Sequence, residues 1–154
     1  MNNIDFQIEN LIVARKSIHN MVKDVSKDAL FIIPKKYKTN LIWNLGHLVT
    51  TQQILMYKLS SVPLLIDRET LSYFRKGSDP VTWEKTPDHK QILNLLEELP
   101  VQFKKDYHNG VFTGFKEYET SSGLVLSNVN DAISYNNYHE GLHQGIISSL
   151  LKEV

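Results

Sequence analysis

The sequence predicts an all-α protein: a single domain over residues 1 to 154, folded as a four-helix bundle with a long crossover between helices 2 and 3. Three observations predict it. Four segments carry apolar residues at three- and four-residue spacings, the mark of helices with one buried face. The connection after the second segment runs over residues 62 to 85, long enough to cross the end of a bundle. At 154 residues, with 42% hydrophobic and 22% charged side chains and no internal repeat, the chain can bury one core without a second domain.

The first helix is expected over about residues 3 to 25, where Ile4, Ile8, Leu11, Ile18, Met21, Val22 and Val25 form the stripe. The second starts at "KTN", with Thr39 or Asn40 as cap, and runs to about Ser61, just before Pro63. Its stripe is Leu41, Leu45, Leu48, Gln52, Leu55 and Leu59. A short helical turn is expected within the crossover at "RETLSYFR". The third helix has the clearest start signal: Thr86 as N-cap, Pro87 at the first helical position and Asp88 in the first turn. It continues through Ile92, Leu95, Leu96, Leu99, Phe103 and Tyr107, with a kink expected at Pro100. Residues 108 to 127 alternate aromatic and polar side chains between glycines, a pattern that fits a short hairpin or a loop. The fourth helix is expected from about Asn128 to Lys152, after a capping Ser127.

Composition removes several classes of function. Lysine plus arginine equal aspartate plus glutamate at 17 each, so the basic excess of a nucleic-acid binder is missing. There is no cysteine, which excludes disulfides, thiolate metal sites and cysteine nucleophiles. The start, "MNNIDFQIEN", is polar and acidic, unlike a secretory signal. No apolar run approaches the roughly 18 residues of a membrane span. A soluble cytoplasmic protein is the expectation.

The fourth helix holds "HEGLH", from His139 to His143. On a wheel of about 100° per residue, His139 lies about 40° from His143, and Ala132, Asn136, Ile147 and Leu150 fall around them. Both histidines therefore sit in the apolar stripe. Ring nitrogens withdrawn from water need partners. One turn apart on one face, the two side chains can reach a single metal ion. Asn136, on the same stripe, is placed to orient a ligand histidine or a bound water. Glu140 falls about 60° away, at the edge of the stripe. It is a weak candidate for a general base, and a helix-flank carboxylate in solvent is its plainer reading.

H-E-x-x-H is also the zinc-protease motif. That reading lacks a third ligand. Metzincins place a histidine six residues after the second one, where this chain has Ser149. Gluzincins use a glutamate on a later helix, but only eleven residues follow His143, and Glu153 is the one later carboxylate. The third ligand must come from upstream. His19 and His89 read as solvated, and His108 begins a loop. His47 follows "NLIWNLG" on a core helix, about 100° from the centre of its stripe. Periodicity leaves open whether it faces the other pair.

Three stretches, "WNLGHL" (Trp43 to Leu48), "YETSSGLVLSNVNDAI" and "YHEGLHQGII", together resemble the DinB/YfiT-like metalloenzyme family. The resemblance spans all four helices, and the three histidines fall in the family's order. It implies a four-helix bundle in which His47, His139 and His143 bind one divalent metal, nickel or zinc, and in which a glutamate after His139 occurs without protease activity. Three nitrogen donors suit zinc, nickel and copper alike. A small-molecule substrate is the expectation. Relatives include transferases that use low-molecular-weight thiols such as bacillithiol. Members often pair through bundle faces, so a homodimer is a candidate assembly.

Three neutral imidazoles leave an ion with its full charge and open positions, which suits catalysis better than a closed structural site. The expected function is thus a metal-dependent enzyme of the S-transferase or hydrolase type. The competing reading is a non-catalytic bundle, stapled by its metal or binding a small ligand.

Overall fold

The computed structural model describes residues 3–154. Among the described residues six α-helices form: α1 Asn3–Val22, α2 Lys27–Phe31, α3 Leu41–Gln52, α4 Arg68–Phe74, α5 His89–His108 and α6 Val129–Leu150. The four long ones build the bundle. Both α1 and α3 pack against α5 and α6, so α1 and α3 lie diagonally opposite each other. The crossover carries α4 onto α3, followed by a 3₁₀ turn at Pro80–Thr82. Two strands, β1 Tyr118–Glu119 and β2 Val125–Leu126, pair antiparallel as a small hairpin before α6, which decides between hairpin and loop. Among the described residues, no helix is long and apolar enough to cross a membrane.

Helix boundaries depart from expectation where a side chain outcompetes the apolar pattern. The first helix stops at Val22, and Ser26 opens the separate α2 by accepting from the Ala29 amide (3.3 Å). Val25 is therefore outside α1. Asn40 caps α3 by accepting from Trp43 N (2.8 Å). Asp88, not Thr86, caps α5, because its Oδ1 accepts from the amides of Lys90 (2.9 Å) and Gln91 (3.4 Å). Pro87 consequently precedes the cap. The helix continues through Pro100 to His108. Asn128 replaces Ser127 as the cap of α6, accepting from Asn130 N (2.9 Å) and Asp131 N (3.0 Å), and the helix ends at Leu150. In both helices a carboxylate or amide one or two residues on takes the place of the hydroxyl that precedes it.

After Gln52 the α3 helix passes into a π-helical stretch, Gln53–Lys58, closed by Leu59 N donating to Ile54 O (3.1 Å). Such wide turns are frequent at functional sites. The apolar core has two halves. One gathers Ile18, Leu41, Leu45, Leu48, Phe74, Leu96 and Ile147. The other gathers Ile8, Leu11, Leu55, Met56, Phe103, Ala132 and Ile133. Along α1 and α6, Arg15 and Glu140 fall between the two halves.

Candidate metal centre

Helices α3 and α6 are neighbours, and their contact face brings the three histidines together. The ring centroids are 5.1 Å apart for His47 and His139, 4.9 Å for His47 and His143, and 4.4 Å for His139 and His143. One nitrogen from each ring lies within 4.8 Å of the others. His47 thus does face the pair. The remaining histidines lie elsewhere: His19 is 3.6 Å from Glu97, His108 is 3.5 Å from Asp5, and His89 starts α5.

The rings are held in chosen orientations. Nδ1–H of His47 donates to the carbonyl oxygen of Phe74 (2.7 Å), at the end of α4. The ring also stacks on Trp43, with centroids 4.6 Å apart and planes at 10°. His143 Nδ1 meets Asn44 Oδ1 at 2.9 Å. The Asn44 amide nitrogen donates to Asn40 O (2.8 Å) and Thr39 Oγ1 (3.1 Å), so its oxygen is the atom left to accept from His143. Nδ1 carries the proton in both rings, so each Nε2 keeps its lone pair as an acceptor; at His47 that lone pair faces the Thr51 hydroxyl (3.4 Å). His139 Nδ1 is buried without a partner among the described residues. Outer hydrogen bonds to metal-ligating imidazoles have this form.

Burial, the neighbouring His143 and His47 rings and the Arg15 charge pull His139 down to about 3 from an ordinary 6.5. Burial, then His47, lowers His143 to about 4. Burial likewise lowers His47, although the Phe74 hydrogen bond opposes it. All three are neutral donors at pH 7, and this set fits a divalent cation. The shifts carry a sign for stability. Below about pH 6.5 the unfolded chain takes protons that the folded rings refuse, so stability is full above that pH and falls as pH drops toward 4. In chelator, the melting temperature should therefore decline between pH 6.5 and 4, less steeply in His139→Leu. An unchanged slope in that variant would contradict the burial of the ring.

Gly46 explains how α4 reaches His47. A Cβ at Gly46 would overlap the Phe74 ring, which is fully buried on α3. Without a side chain there, Phe74 seats closely and its carbonyl meets the imidazole. Gly46→Ala should cost about 1–3 kcal/mol by overpacking and weaken metal affinity as the Phe74 carbonyl moves. Denaturant unfolding and metal titration of the variant check both effects.

Glu140 corrects the sequence reading. It is not in solvent: it is 1% exposed and pairs with the equally buried Arg15, Oε2 to Nε at 2.6 Å and Oε1 to Nη2 at 2.8 Å. Arg15 Nη2 also donates to Leu48 O (2.7 Å) and Nη1 to Leu96 O (3.5 Å), so this α1 side chain binds α3, α5 and α6 together. Asn136 is buried too, but its Nδ2 donates to Glu140 Oε1 (3.0 Å) rather than orienting a histidine. Asn44 has that task for His143. Sequence reasoning missed both Arg15 and Asn44; an arginine among Ile8, Leu11 and Ile18 in the stripe of α1 was the available signal.

A cavity of about 110 Å³ opens beside His47 and His139. Thr51, Ile54 and Leu55 line it from α3 and its π-helical extension, Tyr135 from α6. Lys76 and the hairpin residues Tyr118 and Thr120 complete its walls.

The described residues also match known proteins. The chain resembles in fold YfiT from Bacillus subtilis, described as "a probable metal-dependent hydrolase with an unusual four-helix bundle topology", with a TM-score of 0.65. Identity is 17% over 97% of this chain and 87% of that one, so the likeness shows the fold. No curated protein matches the chain. The DinB superfamily profile matches residues 10–147, nearly the whole bundle and all three histidines. The chain belongs to the DinB superfamily.

Proposed function

We propose that the protein is a metal-dependent hydrolase acting on a small molecule, with His47, His139 and His143 holding one divalent cation, zinc or nickel. The observation that carries this reading is the convergence of three neutral imidazoles, two of which, His47 and His139, line a cavity. Three protein donors leave open positions, whereas structural sites are closed by four. Bound there, a divalent cation supplies Lewis acidity, polarising a substrate carbonyl and acidifying water or a thiol. The chain's own part is to fix the rings through Phe74 and Asn44. The description of YfiT supports hydrolysis over transfer.

Glu140 is not the base of this chemistry, because Arg15 and Asn136 occupy its carboxylate. Casein and peptides are accordingly not substrates. Zinc- and nickel-loaded protein should be assayed against small ester and amide probes, and separately against an electrophile with bacillithiol. Hydrolysis that disappears in His139→Ala is the expected result. Turnover only with the thiol would move the assignment to a transferase. No turnover in either arm at saturating metal would favour a metal-stapled or ligand-binding bundle.

A further inference from the structure

The cavity beside the histidines has a charge pattern that the chain as a whole lacks. Lysine plus arginine balance aspartate plus glutamate over the sequence. Among the residues lining the cavity, by contrast, Lys76 carries a formal charge and no carboxylate is present. Glu140, the carboxylate nearest in sequence to the site, is already matched by the Arg15 guanidinium. Lys76 is held at the rim by its own segment. Two residues earlier, Phe74 is buried on α3 with its carbonyl on His47, and one residue later Gly77 turns the chain at φ 86°. A φ in that region favours glycine, so the reversal that leaves Lys76 beside the cavity is written into the sequence. The Lys76 charge is felt at the His47 ring, where it opposes protonation.

The rest of the lining is apolar or hydroxylic. Ile54 and Leu55 form one wall and the Tyr135 ring another, while Tyr118, Thr120 and Ser121 bring hydroxyls from the hairpin. Small-ligand sites have this composition: mostly apolar walls and a few polar groups that fix orientation. The Lys76 ammonium is a compact point charge, and one carboxylate balances it. The small volume asks for a short body.

We propose that the substrate is a small monocarboxylate with a short apolar body, its carboxylate held by Lys76 at the cavity rim and its body lying against Ile54, Leu55 and Tyr135. This rests on the hydrolase reading for what reacts, but the anion preference belongs to Lys76 and stands without a metal. Lys76 is a binding residue here, not one that touches the reacting atoms.

The test is calorimetric binding of 4-methylpentanoate and of the neutral 4-methylpentanamide. Wild type, Lys76→Met, Lys76→Arg and, as a lysine outside the cavity, Lys38→Met are compared, each in chelator and each loaded with zinc. Metal content and melting temperature are recorded for every sample. Wild type should prefer the carboxylate in both states. Lys76→Met should lose roughly five- to ten-fold of that affinity and none for the amide. Lys76→Arg should keep most of it, Lys38→Met should match wild type, and added salt should narrow the preference. Carboxylate binding that is undetectable, no tighter than the amide, or unchanged in Lys76→Met overturns the proposal. Binding confined to the zinc-loaded state and indifferent to Lys76 does so too, since the ion alone would then hold the anion. A wild type that takes up no zinc sinks the metal reading instead, and the chelator arm still decides the role of Lys76.

Discussion

His47→Ala, His139→Ala and His143→Ala should each strip the metal from the protein, while His19→Ala, His89→Ala and His108→Ala leave it in place. Wild type purified without chelators should hold about one divalent ion per chain, because the three rings form one donor set. Losing an outer hydrogen bond to a ligand histidine costs 10- to 100-fold in affinity. Removal of a ligand itself should therefore exceed about 100-fold, since two imidazoles hold an ion poorly against water and buffer. The controls are informative because His19 and His108 lie beside carboxylates of their own, Glu97 and Asp5, and adventitious surface binding would depend on them. Asn44→Leu, which removes the acceptor for His143 but no ligand, should fall between the two groups. Because the ion binds the folded chain, chelation should also lower the melting temperature, by an amount that grows with metal concentration over Kd. Elemental analysis of the six alanine variants decides the matter. Full occupancy in His47→Ala would mean that the site is not this one.

Much of that site was legible in the sequence. Four stripes at helical spacing gave the bundle, and the wheel put His139 and His143 on the buried face of α6, because periodicity within one helix depends only on local geometry. Boundaries were less legible. Asp88 sits two residues and Asn128 one residue beyond a plausible hydroxyl cap, and which side chain reaches the free amides is a matter of local conformation. His47 was undecided, since a residue on the flank of a stripe is oriented by whatever packs beside it. What packs there is Phe74, 27 residues away, and its contact with His47 is a backbone carbonyl that no side-chain pattern records. Glu140 was misread for a related reason. At the edge of its stripe, a carboxylate normally meets water. Its partner stands 125 residues earlier, and only the diagonal placement of α1 and α3 carries Arg15 to the bundle axis.

That pair makes the second prediction with a large effect. Glu140→Ala should destabilise the protein by about 3–5 kcal/mol, because it leaves the Arg15 charge uncompensated in the core. In a chain of this length each kcal/mol is worth about 2–4 °C, so the melting temperature should fall by about 6–20 °C. Arg15→Ala should cost a similar amount, leaving the Glu140 carboxylate with Asn136 as its remaining donor. The double variant Arg15→Leu with Glu140→Leu removes both charges together and fills the space between the two apolar halves of the core. Replacing a buried ion pair by apolar groups is often neutral or stabilising, so the double variant should recover most of the loss. Thermal and denaturant unfolding of the three proteins, each in chelator, isolates the fold from the metal. A catalytic glutamate gives the opposite pattern: activity lost in every Glu140 variant with stability intact. Equal stability of wild type and Glu140→Ala would show that Arg15 finds other compensation. Recovery of both stability and metal affinity in the double variant would establish that the H-E-x-x-H glutamate of this chain holds helices together and leaves the chemistry to the face of α6 that bears the histidines.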